Sequence, residues 1–380
     1  MTSLRLQVVL LSSVEWASAW QRHQAWASRF AAAGHEVFFV EGTGFRDLKP
    51  SDAGRVLRRL KNAAASAPGA PPPPGIRVVA PLVLPPTASA FRLANRAWLL
   101  PRLVGRLRAL GLRPAPLVLA YLPTATTLRL LDLLEPRLVV YDCVDNFEGH
   151  PSPPRDLGRT EFDLLRRSAL ALATSPFLLE KLAERHSNVH ELHHGVDASF
   201  FAAPGPEPER RAYRSFCYFG SLWHAVDYRH VRALAEAGFS VALLGPEREP
   251  PPPLPASVRR LPSVPASRLA AALAEFDGLL LPYADTPYNR GVVPAKTYEC
   301  LATGKPVLAT PIGGLTRFNE RFYVESEPAG WVRLARDLPR TESAAARAAR
   351  VELARRHTTE AQFEKLLALL RQQPAVAELL

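Results

Sequence analysis

The run Leu281-Pro282-Tyr283-Ala284-Asp285-Thr286-Pro287-Tyr288-Asn289-Arg290-Gly291-Val292-Val293-Pro294-Ala295-Lys296-Thr297-Tyr298-Glu299-Cys300-Leu301-Ala302-Thr303-Gly304-Lys305-Pro306-Val307 reads as strand, polar loop, helix and strand. An apolar run ends at Pro282, and turn-forming residues follow it. Pro294 stands at the first position of a helix and Gly304 just past its end, the places where helices accept these residues. Lys296 therefore falls in the first turn, where unbonded N–H groups and the helix dipole favour an anion. Glu299, three residues on, lies on nearly the same face. A lysine there can hold a diphosphate, and a carboxylate one turn deeper can accept hydrogen bonds from paired ribose hydroxyls. An ordinary exposed Lys–Glu pair satisfies the same spacing.

Outward from this stretch, short apolar runs alternate with helical patterns along the whole chain. Towards the amino terminus they are Leu6–Ser13, Glu36–Val40, Ile76–Ala80, Leu117–Tyr121, Leu138–Val144, Leu170–Thr174 and Val189–His193. Segments such as Trp20–Ala33 and Thr124–Leu134 lie between them. A second series comprises Ser215–Phe219, Val241–Leu244, Val258–Leu261, Leu279–Pro282 and Val307–Thr310. Continuous apolar strands separated by helices predict α/β structure with parallel sheets covered on both faces. Between the two series, residues 202–211 have a linker composition. The expected division is a first doubly wound domain over 1–201, the linker, a second over 212–340, and carboxy-terminal helices over 341–380. Ligands of such sheets bind at the carboxyl ends of the strands.

Length and composition agree with this division. The chain has 380 residues, more than one core usually holds. Apolar residues make up 47% and charged residues 22%, which excludes a disordered chain. No apolar run reaches the roughly 18 residues needed to cross a bilayer. Arg5 and the apolar Leu6–Leu11 imitate a signal peptide but are read as the first buried strand. Cys143, Cys217 and Cys300 are too few and scattered for a disulfide framework, which suits a reducing cytoplasm.

The charge is uneven. Residues 46–113 hold thirteen Lys and Arg against Asp47 and Asp52, which accounts for the whole net surplus of +11. Within them, residues 91–112 mix Phe91, Leu93, Trp98, Leu99, Leu103 and Leu107 with Arg92, Arg96, Arg102, Arg106 and Arg108. Pro101 predicts two short helices or one kinked helix. Such a segment suits anionic lipid headgroups or a pyrophosphate-bearing acceptor, and equally a packing helix with a solvated arginine face. No recognition motif for nucleic acid accompanies it.

Other phosphate and metal motifs fail. Gly42-Thr43-Gly44 lacks the third glycine of a dinucleotide fingerprint, and Thr303-Gly304-Lys305-Pro306 lacks P-loop spacing. No Asp-x-Asp or histidine cluster with metal spacing occurs, so no metal site and no cofactor are expected.

The stretch Pro294–Val307 resembles the nucleotide-sugar motif of bacterial GT-B glycosyltransferases, most nearly the cell-surface polysaccharide branch of teichuronic-acid-type and exopolysaccharide transferases. Tyr218-Phe219-Gly220-Ser221-Leu222, with Asp227 after it, resembles the opening of the donor domain. Leu244-Gly245-Pro246, His194-Gly195-Val196-Asp197 and Tyr141-Asp142-Cys143-Val144-Asp145-Asn146-Phe147 resemble further segments in the same order. The resemblance implies a GT-B fold of two Rossmann-like domains facing across a cleft, with carboxy-terminal helices packed back on the first. It implies that Lys296 binds the donor diphosphate and Glu299 the ribose. Gly220 and Ser221 would admit the phosphates, and Pro262 and Val264 would read the base through backbone contacts. The donor would be a nucleoside diphosphate sugar, by resemblance a UDP-sugar, and the acceptor a glycan or lipid-linked hydroxyl.

Two departures favour inversion. Gly291 stands eight before Glu299, where many relatives have a second glutamate, and Ser221–Val226 holds no Arg or Lys. An inverting transfer needs a base for the acceptor hydroxyl. The resemblance places it on Asp145, with Asp142 the more structural member of the pair and His150 a substitute. A strand-end aspartate capping a turn is the plainer reading. Trp16, Trp20, Arg22 and His23, just after the first strand, would shape the acceptor side or simply pack. His193 and His194 read as hinge residues. The alternatives are a nucleotide-sugar epimerase of the same fold and a non-catalytic basic protein binding membrane or nucleic acid. The expected location is cytoplasmic, peripheral at the inner face of the membrane.

Overall fold

A computed structural model describes residues 5–43, 45, 72–84, 89–201 and 212–379. The predicted linker 202–211, Gly44, Pro71 and the basic stretch 46–71 lie outside the described residues. The chain divides into two units, Met1–His193 with Phe363–Leu380, and His194–Gln362.

The first unit is built on seven parallel strands, β1 (Gln7–Leu11), β2 (Glu36–Val40), β3 (Ile76–Val79), β4 (Leu117–Ala120), β5 (Leu138–Cys143), β6 (Leu170–Ala173) and β7 (Val189–Glu191). Their order is β3-β2-β1-β4-β5-β6-β7, so the winding reverses between β1 and β4. Successive residues of β1 serve opposite cores: Val8 and Leu10 join one apolar cluster, Val9 and Leu11 the other. That two-sided burial is why the strands read as unbroken apolar runs. The segment imitating a signal peptide is this central strand.

The second unit repeats the plan with six parallel strands, β8 (Ser215–Phe219), β9 (Ser240–Leu244), β10 (Arg259–Leu261), β11 (Gly278–Leu281), β12 (Val307–Ala309) and β13 (Tyr323–Val324). The order β10-β9-β8-β11-β12-β13 reverses between β8 and β11. Cys217 and Phe219 of β8 face one cluster, Phe216 and Tyr218 the other. Two elements escaped the sequence reading. β13 is two residues long, too short for a periodicity. The helix Pro328–Thr341 carries Pro339 in its last turn, yet buries Trp331, Ala335 and Leu338 against the sheet.

The carboxy-terminal helices do not both go to the first unit. Ala344–Arg355 belongs to the second, where buried Arg350 donates to the Gly304 carbonyl and pairs with Glu342. Thr359–Arg371 is divided. Its start pairs with Val196, and Phe363, Leu366, Leu367 and Leu370 enter the core of the first unit. Apolar residues show that a helix is buried but not on which core.

Pro101 does not separate two helices. Ser89–Ala94 runs through a π turn, Asn95–Leu99, into Leu100–Ala109, with the proline at the start of the last piece. The widened turn precedes the position where proline has no N–H to give.

Candidate functional sites at the two strand-order reversals

In the second unit, the chain leaves β8 through Phe219, Gly220 and Ser221. Gly220 has φ +124°, and a Cβ there would fall on the Lys296 amine. Gly245, after β9, has φ +145° and lies against the Gly220 carbonyl. Only glycine takes these conformations without strain, so Leu244-Gly245-Pro246 packs flat beneath the loop.

The helix carrying Lys296 runs Lys296–Thr303. Pro294 precedes its first assigned residue by two, and its carbonyl accepts from the Thr297 N–H. Gly304 closes the helix in the left-handed region at φ 68°. Lys296 Nζ donates to the Phe219 carbonyl (2.5 Å) and to Tyr218 Oη (3.2 Å). It lies 4.3 Å from the centroid of the Tyr218 ring, with Tyr283 on another side at 5.6 Å. The Tyr218 hydroxyl in turn donates to the Ser221 carbonyl at 3.0 Å. The ammonium is thus held at the β8/β11 reversal by two tyrosines and the strand end.

Glu299 follows one turn along. Burial pushes its carboxyl up to about 7; Asp197 adds to the rise, and Lys296 opposes it. Among the described residues no group donates a hydrogen bond to this carboxylate. A half-buried carboxyl without protein donors is costly unless something else supplies them. Asp197 belongs to the His194-Gly195-Val196-Asp197 segment singled out in the sequence. The tyrosines around Lys296 were missed, because nothing local to Tyr218 or Tyr283 shows that they converge on the lysine's amine. Pro262 is exposed and Val264 half-buried, both in the loop leaving β10 at the far edge of the sheet. Asp227 is a helix cap: it accepts from the Arg229 N–H and pairs with Arg229 and His230, which hold its carboxyl well below the usual range.

In the first unit the reversal lies between β1 and β4. His23 is buried there, with its ring nitrogens near Ser12 Oγ (3.3 Å) and Ser13 Oγ (3.2 Å) and its ring 3.8 Å from that of Tyr121. Burial and neighbouring Arg22 lower its pKa to about 3, so it is neutral at ordinary pH. Arg22 is buried too. Its Nε donates to Asp142 Oδ2 at 2.7 Å, and its Nη1 donates to the carbonyls of Leu192 and His193. Trp26 Nε1 donates to the same Asp142 oxygen at 3.2 Å.

Asp142 is therefore fully buried and tied to Arg22 and Trp26, in keeping with the more structural place given it in the pair. Arg22 and His23 are likewise not displayed to an acceptor; they are buried beneath the surface. Trp16 is half-buried, edge-on to Phe39 at 5.1 Å and to Trp20 at 6.0 Å. Trp20 is 46% exposed and alone of these four presents an aromatic plane to solvent.

Asp145 is different. It lies two residues beyond β5, half-buried, in a bend before the short turn Phe147–Gly149. Its carbonyl accepts from the Phe147 N–H at 3.0 Å, so the bend is held by backbone bonds. His150, the considered substitute, accepts at Nδ1 from the Ser152 N–H and packs edge-on to Phe45. Gly42 serves close approach, since a Cβ there would stand 2.7 Å from the Ser13 carbonyl oxygen. Lys305 is buried and donates to the carbonyls of Ala274 and Phe276, which makes Thr303–Pro306 a helix end.

Residues 228–368 match a family described as glycosyl transferase-like. A protein described as a teichuronic acid biosynthesis glycosyltransferase, TuaH of Bacillus subtilis (strain 168), is 24% identical over 218 residues, covering 50% of this chain and 55% of that one. The chain thus spans about half the length of this curated relative. Among solved structures, Anabaena HepE in complex with UDP and glucose superposes with a TM-score of 0.66 at 14% identity, over 96% of this chain and 99% of that one. Sucrose-phosphate synthase from Thermosynechococcus elongatus gives 0.66 at 16% identity over 97% and 99%. TarM gives 0.63 at 8% identity over 97% and 99%. At such identities the structural likeness establishes the GT-B architecture and nothing finer.

Proposed function

We propose that the chain is a glycosyltransferase of GT-B architecture that moves a sugar from a UDP-sugar to a hydroxyl of a glycan or lipid-linked acceptor in cell-surface polysaccharide assembly, with inversion. One observation carries the donor half of this reading. Glu299 is a half-buried carboxylate without a protein donor among the described residues, one turn from an ammonium held against a glycine loop. Ribose hydroxyls supply the donors that the carboxylate lacks, and the diphosphate supplies the anion for Lys296. Uridine as the base follows the HepE complexes, which hold UDP and glucose or UDP-glucose.

In the reaction, the acceptor oxygen attacks the anomeric carbon while the bond from that carbon to the diphosphate oxygen breaks. Both electrons of that bond leave with the nucleoside diphosphate. Negative charge grows on the leaving oxygen, where Lys296 and the first-turn N–H groups stabilise it without a metal ion. The acceptor proton passes to the Asp145 carboxylate. Neutral, buried His23 and the Arg22–Asp142 pair hold the loop after β1 and the end of β5 in place.

Calorimetric titration of the wild type, Lys296→Ala and Asp145→Asn with UDP, GDP and ADP tests both halves. The wild type should bind UDP best, and Lys296→Ala should lose about 10- to 100-fold in affinity, the worth of a charge-assisted contact. Asp145→Asn should bind UDP normally yet lose about 10²- to 10⁴-fold in acceptor-dependent UDP release. Absence of nucleotide binding by the wild type would remove the donor site. Isomerisation of the donor without an acceptor would favour the epimerase.

A further inference from the structure

The helical segment over 89–109 in the first unit has no part in the proposed chemistry, yet it is built unusually. The Leu100 N–H bonds to the Asn95 carbonyl, an i→i+5 contact that inserts one extra residue into the turn. After it, Leu100, Leu103, Val104 and Leu107 enter the core at helical spacing. Extended backwards at 3.6 residues per turn, that stripe would turn Leu93 and Arg96 or Ala97 inward. The wide turn instead puts Asn95 on the buried line. There its side chain accepts from the Leu84 N–H (2.9 Å) and donates to the Leu84 carbonyl (2.6 Å).

Leu93, which that stripe would have buried, faces solvent, and so does Trp98. Trp98 is 71% exposed and Leu93 64%, with Phe91 and Leu82 also exposed. Residues 89–112 contain five arginines and no acid. Arg92 leans on Asp156, and Arg106 and Arg108 donate to the carbonyls of Ala80 and Leu133. Among the described residues, Arg96 and Arg102 have no such partner, and they flank Trp98 in sequence.

We propose that this face docks the chain onto an anionic lipid bilayer, with Trp98, Leu93 and Phe91 entering the headgroup boundary and Arg96 and Arg102 engaging lipid phosphates. Charge complementarity selects the occupant. A protein groove would meet Trp98 and Leu93 with apolar walls, whereas here the guanidinium groups of Arg96 and Arg102 flank the apolar side chains and residues 89–112 hold no acid. An interface of anionic headgroups over acyl chains satisfies both chemistries at once. No helix among the described residues is long and apolar enough to cross a membrane. The contact is made by a pre-formed patch beside the Asn95 turn. It stands independently of the donor-site reading.

The test is co-sedimentation of the full chain with vesicles of phosphatidylcholine alone and of phosphatidylcholine mixed with phosphatidylglycerol. Binding should require the anionic lipid and fall by about tenfold or more in either Trp98→Ser/Leu93→Ser or Arg96→Glu/Arg102→Glu. Salt should weaken the wild type and leave the arginine variant's residual binding unaffected. Brominated lipid should quench tryptophan fluorescence in the wild type, and in Trp98→Phe that quenching should vanish. All four positions are exposed, so circular dichroism and thermal unfolding should match the wild type. Failure of the wild type to bind anionic vesicles overturns the proposal, as does binding unchanged in both double variants. Concentration-dependent dimerisation abolished by Trp98→Ser would assign the face to a second copy instead. Retention on DNA but not on vesicles would assign the arginines to nucleic acid.

Discussion

The role proposed for Glu299 and its cost to stability fall on the same carboxyl. Its carboxyl is raised from 4.5 to about 7 in the folded chain, chiefly by burial. Between those values the folded state holds the proton more tightly than the unfolded state does. The stability this contributes is full below 4.5 and is lost as pH rises through 7. Glu299→Gln keeps the shape and removes the charge. At about pH 8 it should stabilise the protein by about 1–3 kcal/mol, a gain that shrinks to nothing as the pH approaches the unfolded value. Denaturant melts across this range check the sign. The same variant should weaken UDP binding by about tenfold, because an amide accepts ribose hydroxyls less strongly than a carboxylate. If Glu299→Gln destabilises at high pH, the carboxylate is a structural partner and the ribose role falls.

Elements explain why some sequence candidates lie buried as supports and others reach the surface. β5 ends with Asp142 inside the unit and Asp145 beyond it, three residues apart along one chain but in opposite environments. Strand alternation leaves a residue fully buried when both faces of the sheet are covered, and only past the strand end does a side chain reach solvent. Asp142 then ties β5 to the helix Arg22–Ala32 through Arg22, and Arg22 reaches on to the chain just after β7. Asp142→Ala would leave the guanidinium buried against carbonyls alone, at a cost of about 3–5 kcal/mol. The melting transition of the first unit should fall accordingly, while UDP affinity in the second should be unchanged. An Asp142→Ala chain as stable as the wild type would mean that the pair is dispensable. Sequence reading weighed the two aspartates together because spacing reports adjacency, not burial.

At the scale of the whole chain, the last helix starts in the second unit and enters the core of the first. Leu366 is fully buried among residues of the first sheet although it follows the second unit in sequence. Leu366→Ala should destabilise the first unit by about 2–5 kcal/mol. Calorimetric scanning should show that transition shifted, with the nucleotide-stabilised transition of the second unit in place. A shift confined to the nucleotide-stabilised transition would contradict the division. The alternating strands, the two-unit plan and the placement of Lys296 and Glu299 on one helix were legible in the sequence. Each depends on periodicities of two and 3.6 residues and on Pro and Gly at helix ends, which are local properties of the chain. Which side chains converge was decided only by tertiary structure. Tyr218 and Tyr283 meet the Lys296 amine because a parallel sheet gathers its strand ends at one edge. Asn95 sits on the buried line because the Leu84 backbone lies within reach. Those contacts depend on how the elements pack, so tertiary structure specifies them and local pattern does not.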